Sequence, residues 1–311
     1  MPGARSIPTM GVMRRLGLVC ALSTLALAGG GCAGSDSAVP LQPLQNFGAV
    51  ASATRAATTG HFELTIAMSM GDAKLAMSGG GAFDRANGAM EMTLDLSSFA
   101  KTLGSLGGGS EGLTGFDDPA NWKLEAVQQG KVVFLKFPLL ASRMNGAHWL
   151  KLDPATLAST AGSSLGQFGA YGASDPRAVL DTLKAVSGSI EPVGREKVRG
   201  VETSHYVAML DPSKLAAHAA TSGASADVIS TLTKSVSQLG LGLLPLHIWI
   251  DDEDLVRKLT MDVSPSDTSI ATGVKVMVSF ELFDYGTPVS IAAPAADDTV
   301  DASQVPGVLG R

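Results

Sequence analysis

The sequence predicts an α+β protein in which a large antiparallel β-sheet has helices packed on one of its faces. In several separate runs, apolar and polar residues alternate with a period of two, as in strands with one dry and one wet face. Helical spacing occurs between these runs. The regular alternation of strand and helix that builds a parallel sheet does not occur, which argues against a doubly wound fold. Of the 311 residues, 45% are hydrophobic, enough for a sizeable core.

The clearest predicted strand runs from Phe62 to Met70, where every second residue is apolar. The same alternation predicts strands within residues 73–77, 90–96, 122–126, 132–137, 148–152, 198–207, 246–250, 256–263 and 274–280. A first helix is predicted over residues 41–59, with Gly60 as its natural end. Two further helices are predicted to begin at Asp175 and Asp211, because each is followed by proline, which suits a first helical turn. Residues 101–117 and 162–174 are rich in Gly and Ser and are predicted loops.

The N-terminus has the features of an export signal. Met13-Arg14-Arg15 is positively charged, and residues 16–28 form an apolar run too short to span a bilayer of about 30 Å. Three glycines then precede Cys32, so the segment resembles a lipobox, although Gly29 stands where the usual motif has Leu. We expect Cys32 to carry a lipid that holds the protein on the outer face of the cytoplasmic membrane. The alternative is an ordinary secretory signal in which Cys32 is incidental.

Four segments follow from this assignment. They are a lipoprotein signal peptide over 1–31, a flexible tether over 32–43, one folded domain over 44–291 and a loose tail over 292–311. Loss of the signal removes three arginines and leaves 20 basic against 29 acidic residues, a net charge of −9. Such a surface does not favour nucleic acid, which requires clustered Lys and Arg. The two cysteines, Cys20 and Cys32, both precede the folded domain, so no disulfide framework or thiol chemistry is expected there.

The sequence offers little material for catalysis, a cofactor or a metal ion. Two G-x-S-x-G matches, at Ser110 and Ser164, lie in Gly/Ser-rich loops instead of the strand–helix turn that a nucleophile needs. The five histidines are scattered without the spacing of a zinc-binding helix. The acidic run from Asp251 to Asp254 lacks the pattern of a calcium loop and is predicted to be a charged hairpin turn. We therefore expect a protein that is not an enzyme, with hydrolysis at Ser164 as a minor alternative.

The most prominent feature of the sequence is instead a set of flexible apolar residues on the predicted strands. Several of the twelve methionines lie on the dry faces of predicted strands, and Met side chains adapt to varied apolar ligands. A broad sheet under two amphipathic helices can enclose an apolar cavity. The candidate lining consists of Phe62, Leu64, Ile66, Met68, Met90, Met92, Leu94, Leu246, Ile248, Ile250, Val274, Val276 and Val278 from the strands, with Leu232 and Val236 from the helix above them. The alternative is that these side chains simply fill a core.

Several stretches resemble a known family. They are "GKVVFLKF…GAHWLKLD" with Trp149, "DPRAVLDTLKAVSGSIEPVGREKVRGVETSHY" and "LPLHIWIDDEDLVRKLTMD". Together with the anchor cysteine and tether, they resemble the LppX/LprA/LprF/LprG lipoproteins of mycobacteria and their actinobacterial relatives, which share the LolA/LolB-like fold. The resemblance covers roughly residues 44–290. It implies a half-barrel, that is, a strongly curved antiparallel sheet with helices across its concave face.

The resemblance also implies a function. Family members hold the acyl chains of lipids or lipoglycans between sheet and helices and help to move them across the envelope. Others have a small or closed cavity and a different role. We therefore expect a lipid carrier, with a non-carrier envelope lipoprotein, a sensor or protein-binding module with a filled core, as the alternative. The lipid and any envelope transporter partner are not specified by the sequence.

Overall fold

The structure is a computed structural model that describes residues 47–71, 73–105, 118–153, 187–211, 214, 242–264 and 274–305. All of them belong to one compact unit, Leu41–Arg311. The helices are α1 (Phe47–Ala56) and α2 (Ser97–Ser105), with short 3₁₀ helices at Pro119–Trp122, Pro138–Arg143, Ala296–Asp298 and Ala302–Gln304. The strands are β1 (Thr59–Met70), β2 (Ala73–Asp84), β3 (Ala89–Asp95), β4 (Lys123–Gln129), β5 (Val132–Lys136), β6 (Trp149–Leu152), β7 (Ser187–Val198), β8 (Val201–Leu210), β9 (Leu244–Asp251), β10 (Val256–Asp262), β11 (Val274–Phe283) and β12 (Thr299–Asp301).

These strands form one open sheet in the order β12-β6-β5-β4-β3-β2-β1-β11-β10-β9-β8-β7. Every pairing is antiparallel except that of β12 with β6, which is parallel. Two meanders that are each continuous in sequence, β1–β6 and β7–β11, meet where β1 pairs with β11. The predicted α+β class with a large antiparallel sheet is confirmed. The predicted helices from Asp175 and Asp211 lie outside the described residues, apart from Asp211, which is not helical, and Lys214, which is.

The two faces of the sheet differ sharply. Directly opposed residues of paired strands point to the same side. The face that carries Phe62, Leu64 and Ile66 of β1 is called the inner face, and the face that carries Glu63 and Thr65 is called the outer face. The helix α1 packs at one end of the inner face, where Val50 is fully buried in the main hydrophobic cluster.

Glycines explain how the sheet bends between β2 and β3. Gly79 and Gly81 of β2 lie on the inner face, opposite Leu94 and Met92 of β3. A Cβ at Gly81 would collide with the carbonyl oxygen of Glu91, so the two backbones approach more closely than a side chain allows. Glycine inside a strand marks such tight bends and close backbone approaches. The sequence "SGGGAF" therefore gives the sheet its curvature at this point.

A polar lock fixes α1 to the sheet. Arg85 donates through Nη1 to the carbonyl oxygens of Thr54 and Ala57, at 2.6 and 2.7 Å, and so satisfies the C-terminal end of α1. The hydroxyl of Tyr285 donates to the carbonyl oxygen of Val256 at 2.5 Å. Burial raises the pKa of Tyr285 well above its usual value, so this phenol stays a neutral donor. The end of the inner face below α1 is thus closed by the protein's own side chains.

Four predictions at the level of elements need correction. Gly60 does not end a helix, because α1 ends at Ala56 and Gly60 already lies in β1. Residues 101–105 are helical instead of looped, as the end of α2. The strand β7 was not predicted before Val198, since its twelve residues include Gly188, Pro192 and Gly194 and its apolar residues do not alternate. Proline and glycine are tolerated there because β7 is an edge strand.

The expected loose tail is the fourth correction. Residues 299–301 form β12, which pairs with β6 so that Val300 lies beside Leu150. Beyond it, Ala302 and Val305 are buried with Leu135, Met144 and residues of β6 in a second hydrophobic cluster. Two apolar side chains spaced three apart thus anchor a segment whose composition, rich in Pro, Ala and Asp, had predicted a loose tail.

Within the described residues, the longest helix falls well short of the length and apolar character that crossing a membrane would require.

Candidate functional site

The inner face carries two continuous apolar rows that cross most of the sheet. One row runs through Leu94, Gly79, Leu64, Phe280, Leu259, Ile248 and Tyr206, from β3 to β8. The other runs through Met77, Ile66, Val278, Met261, Leu246, Ala208 and Ile190, from β2 to β7. Neither row contains a charged side chain. The register therefore turns the period-two patterns of many separate strands into one broad apolar surface.

The structure places the predicted lining residues on this surface, in two burial classes. Phe62, Leu94, Leu246, Ile248 and Ile250 are buried. The others are only half-buried, namely Leu64, Ile66, Met68, Met90, Met92, Val276 and Val278. Val274 lies opposite Met70 at the end of β11, while Leu232 and Val236 lie outside the described residues. Five of the half-buried positions lie on β1 and β11, whereas Met90 and Met92 of β3 pack against the main cluster, which contains Val50 of α1.

Phe280, at the end of the predicted 274–280 face, stacks on Phe62 with ring centroids 5.4 Å apart. Sequence reasoning missed other members of the same surface, since Leu259 and Met261 of β10 also pack against the main cluster. Tyr206 extends the first row to β8. The alternation within residues 256–263 and 198–207 pointed to strands but not to the side that each would bury, because that depends on register.

On the outer face, β7, β8 and β9 bring together Glu196, His205, His247 and Trp249. Glu196 Oε1 lies 2.6 Å from Nε1 of Trp249 and 3.0 Å from Nδ1 of His205. Nε2 of His205 lies 2.9 Å from Nδ1 of His247. The His205 ring also stacks on Trp249, with centroids 4.2 Å apart and planes 11° from parallel. Burial lowers the pKa of His205, although the nearby Glu196 carboxylate opposes this shift. The lowered pKa favours a neutral His205 ring.

A pocket of about 310 Å³ lies where the β7–β8 turn meets the end of β11, and Arg199, Arg257 and Phe283 help to line it. Both arginines already have anionic partners. Arg199 pairs with Glu63 and Glu281, and Arg257 pairs with the fully buried carboxylate of Asp251. The charges of this pocket are therefore balanced within the protein.

The predicted charged turn after β9 is confirmed. Asp251 accepts hydrogen bonds from the backbone N–H groups of Glu253 and Leu255, at 3.0 and 2.8 Å, which shapes the β9–β10 turn. Its carboxylate is committed to this turn and to Arg257. The two G-x-S-x-G serines, Ser110 and Ser164, lie outside the described residues, as does His218.

The fold and the inner face define a class, namely an α+β protein whose open, curved, mostly antiparallel sheet presents one continuous apolar face. Among solved structures, the chain is similar to LprF from Mycobacterium bovis, with 14% identity over 82% of this chain and 100% of that one, at a TM-score of 0.41. It is also similar to the lipoprotein LppX of Mycobacterium tuberculosis, with 12% identity, 80% and 97% coverage and a TM-score of 0.41. A LolA superfamily protein from Nitrosomonas europaea has 9% identity and a TM-score of 0.30 over 80% of this chain and 96% of that one.

No family model matches the chain. In sequence, it is 30% identical over 167 residues to an uncharacterized 31.2 kDa protein encoded in the rplA-rplJ intergenic region of Streptomyces griseus. The match covers 53% of this chain and 52% of that protein, so the chain spans about half the length of the curated relative that it matches. Two members of the family that the sequence resembles, LprF and LppX, are thus among the similar solved structures.

Proposed function

We propose that this protein is an envelope lipoprotein that binds the acyl chains of lipids or lipoglycans against its apolar inner face and carries them across the cell envelope. The observation that carries the proposal is the half-buried state of the apolar side chains on β1 and β11. Leu64, Ile66 and Val278 remain partly exposed in the middle of the sheet, where a filled core would bury them. Each CH₂ group of a ligand that leaves water there gains about 0.8 kcal/mol.

The chemistry of the surface suits acyl chains more than polar ligands. The two rows offer no charged group to a ligand, so affinity must come from apolar contact. Met77, Met92 and Met261 add flexible, polarizable side chains, which adapt to chains of varied shape. The proposal also includes anchoring through a lipid on Cys32, in keeping with the lipobox-like sequence, which would keep the domain near the membrane from which lipids are loaded.

One observation favours the alternative of a non-carrier lipoprotein with a filled core. The end of the inner face near α1 is closed, since Val50, Phe62, Ile248 and Val256 pack together with almost no exposure. A core that continued in this way along the whole sheet would leave no room for a ligand. The two functions differ in what the half-buried residues contact, and this difference can be tested.

The test is organic extraction and mass spectrometry of the purified protein. We expect copurified lipid with the wild type and much less with Ile66→Lys, which places a charge on the inner face. Ala67→Lys is the matched control, because Ala67 is the next residue, is exposed and points to the outer face. Val278→Trp fills the surface without adding charge and should also displace lipid, so a folding defect of the lysine variant would not obscure the result. Absence of lipid from well-folded wild type would overturn the proposal.

The anchor has its own test. Cys32→Ala should move the protein from the membrane fraction to the soluble fraction, and mass analysis of the wild-type N-terminus should show an acylated Cys32. An unmodified N-terminus elsewhere would contradict the anchoring without affecting lipid binding by the domain.

A further inference from the structure

The hydrogen-bond chain on the outer face fixes where its protons lie. One oxygen of Glu196 faces two N–H donors, from Trp249 and from Nδ1 of His205, so it acts as an ionised carboxylate acceptor. The proton of a neutral His205 ring is therefore on Nδ1, and Nε2 carries a lone pair. That lone pair points at Nδ1 of His247, 2.9 Å away.

The His205 ring is also held in place. It stacks on the Trp249 ring, with ring centroids 4.2 Å apart, and its side chain is only 12% exposed. The hydroxyl of Thr203 donates to the carbonyl oxygen of Glu196 at 2.6 Å and ties β7 to β8 beside the cluster. A histidine nitrogen presented in a fixed direction, with its other nitrogen donating to a carboxylate, is the arrangement found around metal-ligating histidines.

We propose that His205 and His247 form a binding site for a borderline divalent cation such as Cu²⁺ or Zn²⁺, with Nε2 of His205 and Nδ1 of His247 as ligands and Glu196 as the carboxylate that orients His205. At metal–nitrogen distances of about 2.0–2.1 Å in tetrahedral geometry, two ligand nitrogens lie roughly 3.3 Å apart. The observed 2.9 Å would have to open by a few tenths of an ångström, and the two rings would have to turn so that both lone pairs converge on the ion. The ring proton of His247 would move from Nδ1 to Nε2, which frees Nδ1 to bind the ion as a neutral imidazole nitrogen.

The remaining coordination positions would be filled by water. No set of three or more His, Cys, Asp or Glu side chains in the described residues is arranged to hold a metal ion, so the two histidines would be its protein ligands. Thr260 lies directly opposite His247 on β10. Its Oγ1 is buried and has no hydrogen-bond partner in the part of the chain that the structure describes. A buried hydroxyl in this state carries a desolvation cost that a metal-bound water could relieve.

The experiment is titration of tag-free protein, purified from cells that express the full chain, with CuCl₂ and separately with ZnCl₂, followed by calorimetry and tryptophan fluorescence. The chain has three tryptophans, so Trp122→Phe with Trp149→Phe leaves Trp249 as the single reporter. We expect saturable binding of one ion, quenching of Trp249 by Cu²⁺ and tighter binding of Cu²⁺ than of Zn²⁺, as the Irving–Williams order predicts. Glu196→Gln should weaken binding about 10- to 100-fold.

Two histidine variants show whether His205 and His247 bind a metal ion or only form a hydrogen bond with each other. His247→Asn can still donate a hydrogen bond to Nε2 of His205 but lacks the imidazole ligand, so it should keep the fold and lose the ion. His148→Ala is the matched control, since His148 is exposed and bonded to Asp298 far away in the sheet, beside β6. Binding that survives His247→Asn, or wild type that shows no saturable response at millimolar metal, overturns the proposal. Neither outcome bears on lipid binding, which uses the opposite face.

Discussion

The hydroxyl oxygen of Thr54 accepts a 3.1 Å hydrogen bond from the backbone N–H of Val256, and both residues are almost completely buried. This bond joins α1, at the start of the described chain, to the first residue of β10. The carbonyl oxygen of Val256 also accepts a hydrogen bond from the Tyr285 hydroxyl. The backbone N–H and C=O groups of Val256 therefore both have side-chain partners from distant segments.

Thr54→Val should therefore destabilise the protein by about 1–3 kcal/mol, because it leaves the buried N–H of Val256 without an acceptor. Thr54→Ser keeps the hydroxyl and should lose less. Thr58→Val is the matched control, since Thr58 is exposed just beyond α1. Urea unfolding followed by circular dichroism measures the differences, and equal stability of Thr54→Val and wild type would show that the bond contributes nothing.

Gly81→Ala should destabilise the protein by about 1–3 kcal/mol, the usual cost of forcing extra volume into a packed site. The added methyl group would meet the Glu91 carbonyl of β3 and push apart the two strands at the bend. Gly194→Ala on β7 is the control, because a Cβ there has open space around it. Thermal unfolding of the two variants gives the comparison. A Gly81→Ala protein as stable as Gly194→Ala would mean that the bend does not need glycine.

Val305→Ala should cost about 1–3 kcal/mol, since Val305 is 4% exposed and helps to pin the C-terminal segment to β6. The neighbouring Gln304→Ala should change stability by less than about 0.5 kcal/mol, because that side chain is exposed. Limited proteolysis adds a local measurement, since loosening of β12 should expose cleavage sites after residue 295. Unchanged proteolysis of Val305→Ala would argue against the pinning role.

Stability should also fall at acidic pH through Glu281. Burial alone would raise the pKa of Glu281, but hydrogen bonds from Lys258 and Arg199 outweigh it and hold the pKa below its ordinary value of 4.5. The carboxylate thus stabilises the native state above pH 4.5, and this contribution disappears as the pH falls through the lower native pKa. Glu281→Gln should be less stable at pH 7 and should lose less stability on acidification. A parallel pH dependence in both proteins would refute this role.

Much of the fold could be predicted because alternation is a local signal. The spacing of Phe62, Leu64 and Ile66 predicts a strand and also predicts which of its faces is apolar, from only a few residues of sequence. The same holds for Val276 and Val278. The sequence could not show that these two sets lie side by side on the paired strands β1 and β11. Pairing between distant strands is set by the packing of the whole fold and not by either segment alone.

The parts that sequence reasoning missed depend on tertiary contacts. The strand β7 shows no alternation because Pro192 and Gly194 are acceptable at an edge. β12 is too short to show a pattern, and the burial of Val305 supplies the reason for its order. The histidine cluster was invisible for a similar reason, since His205 and His247 are 42 residues apart in sequence and meet only through the β8–β9 register.

The junction of the two meanders has a consequence for how the chain folds. Within each meander, neighbouring strands follow one another in sequence, and short turns join pairs such as β1–β2, β4–β5 and β7–β8, which can form locally. The β1–β11 seam, in contrast, brings His61 opposite Phe283, and closing so long a loop carries a large entropic cost. Folding dominated by such distant contacts is slow, on the scale of milliseconds to seconds. An unclosed seam would leave β1 and β11 as unpaired edges beside apolar faces, and such edges favour aggregation.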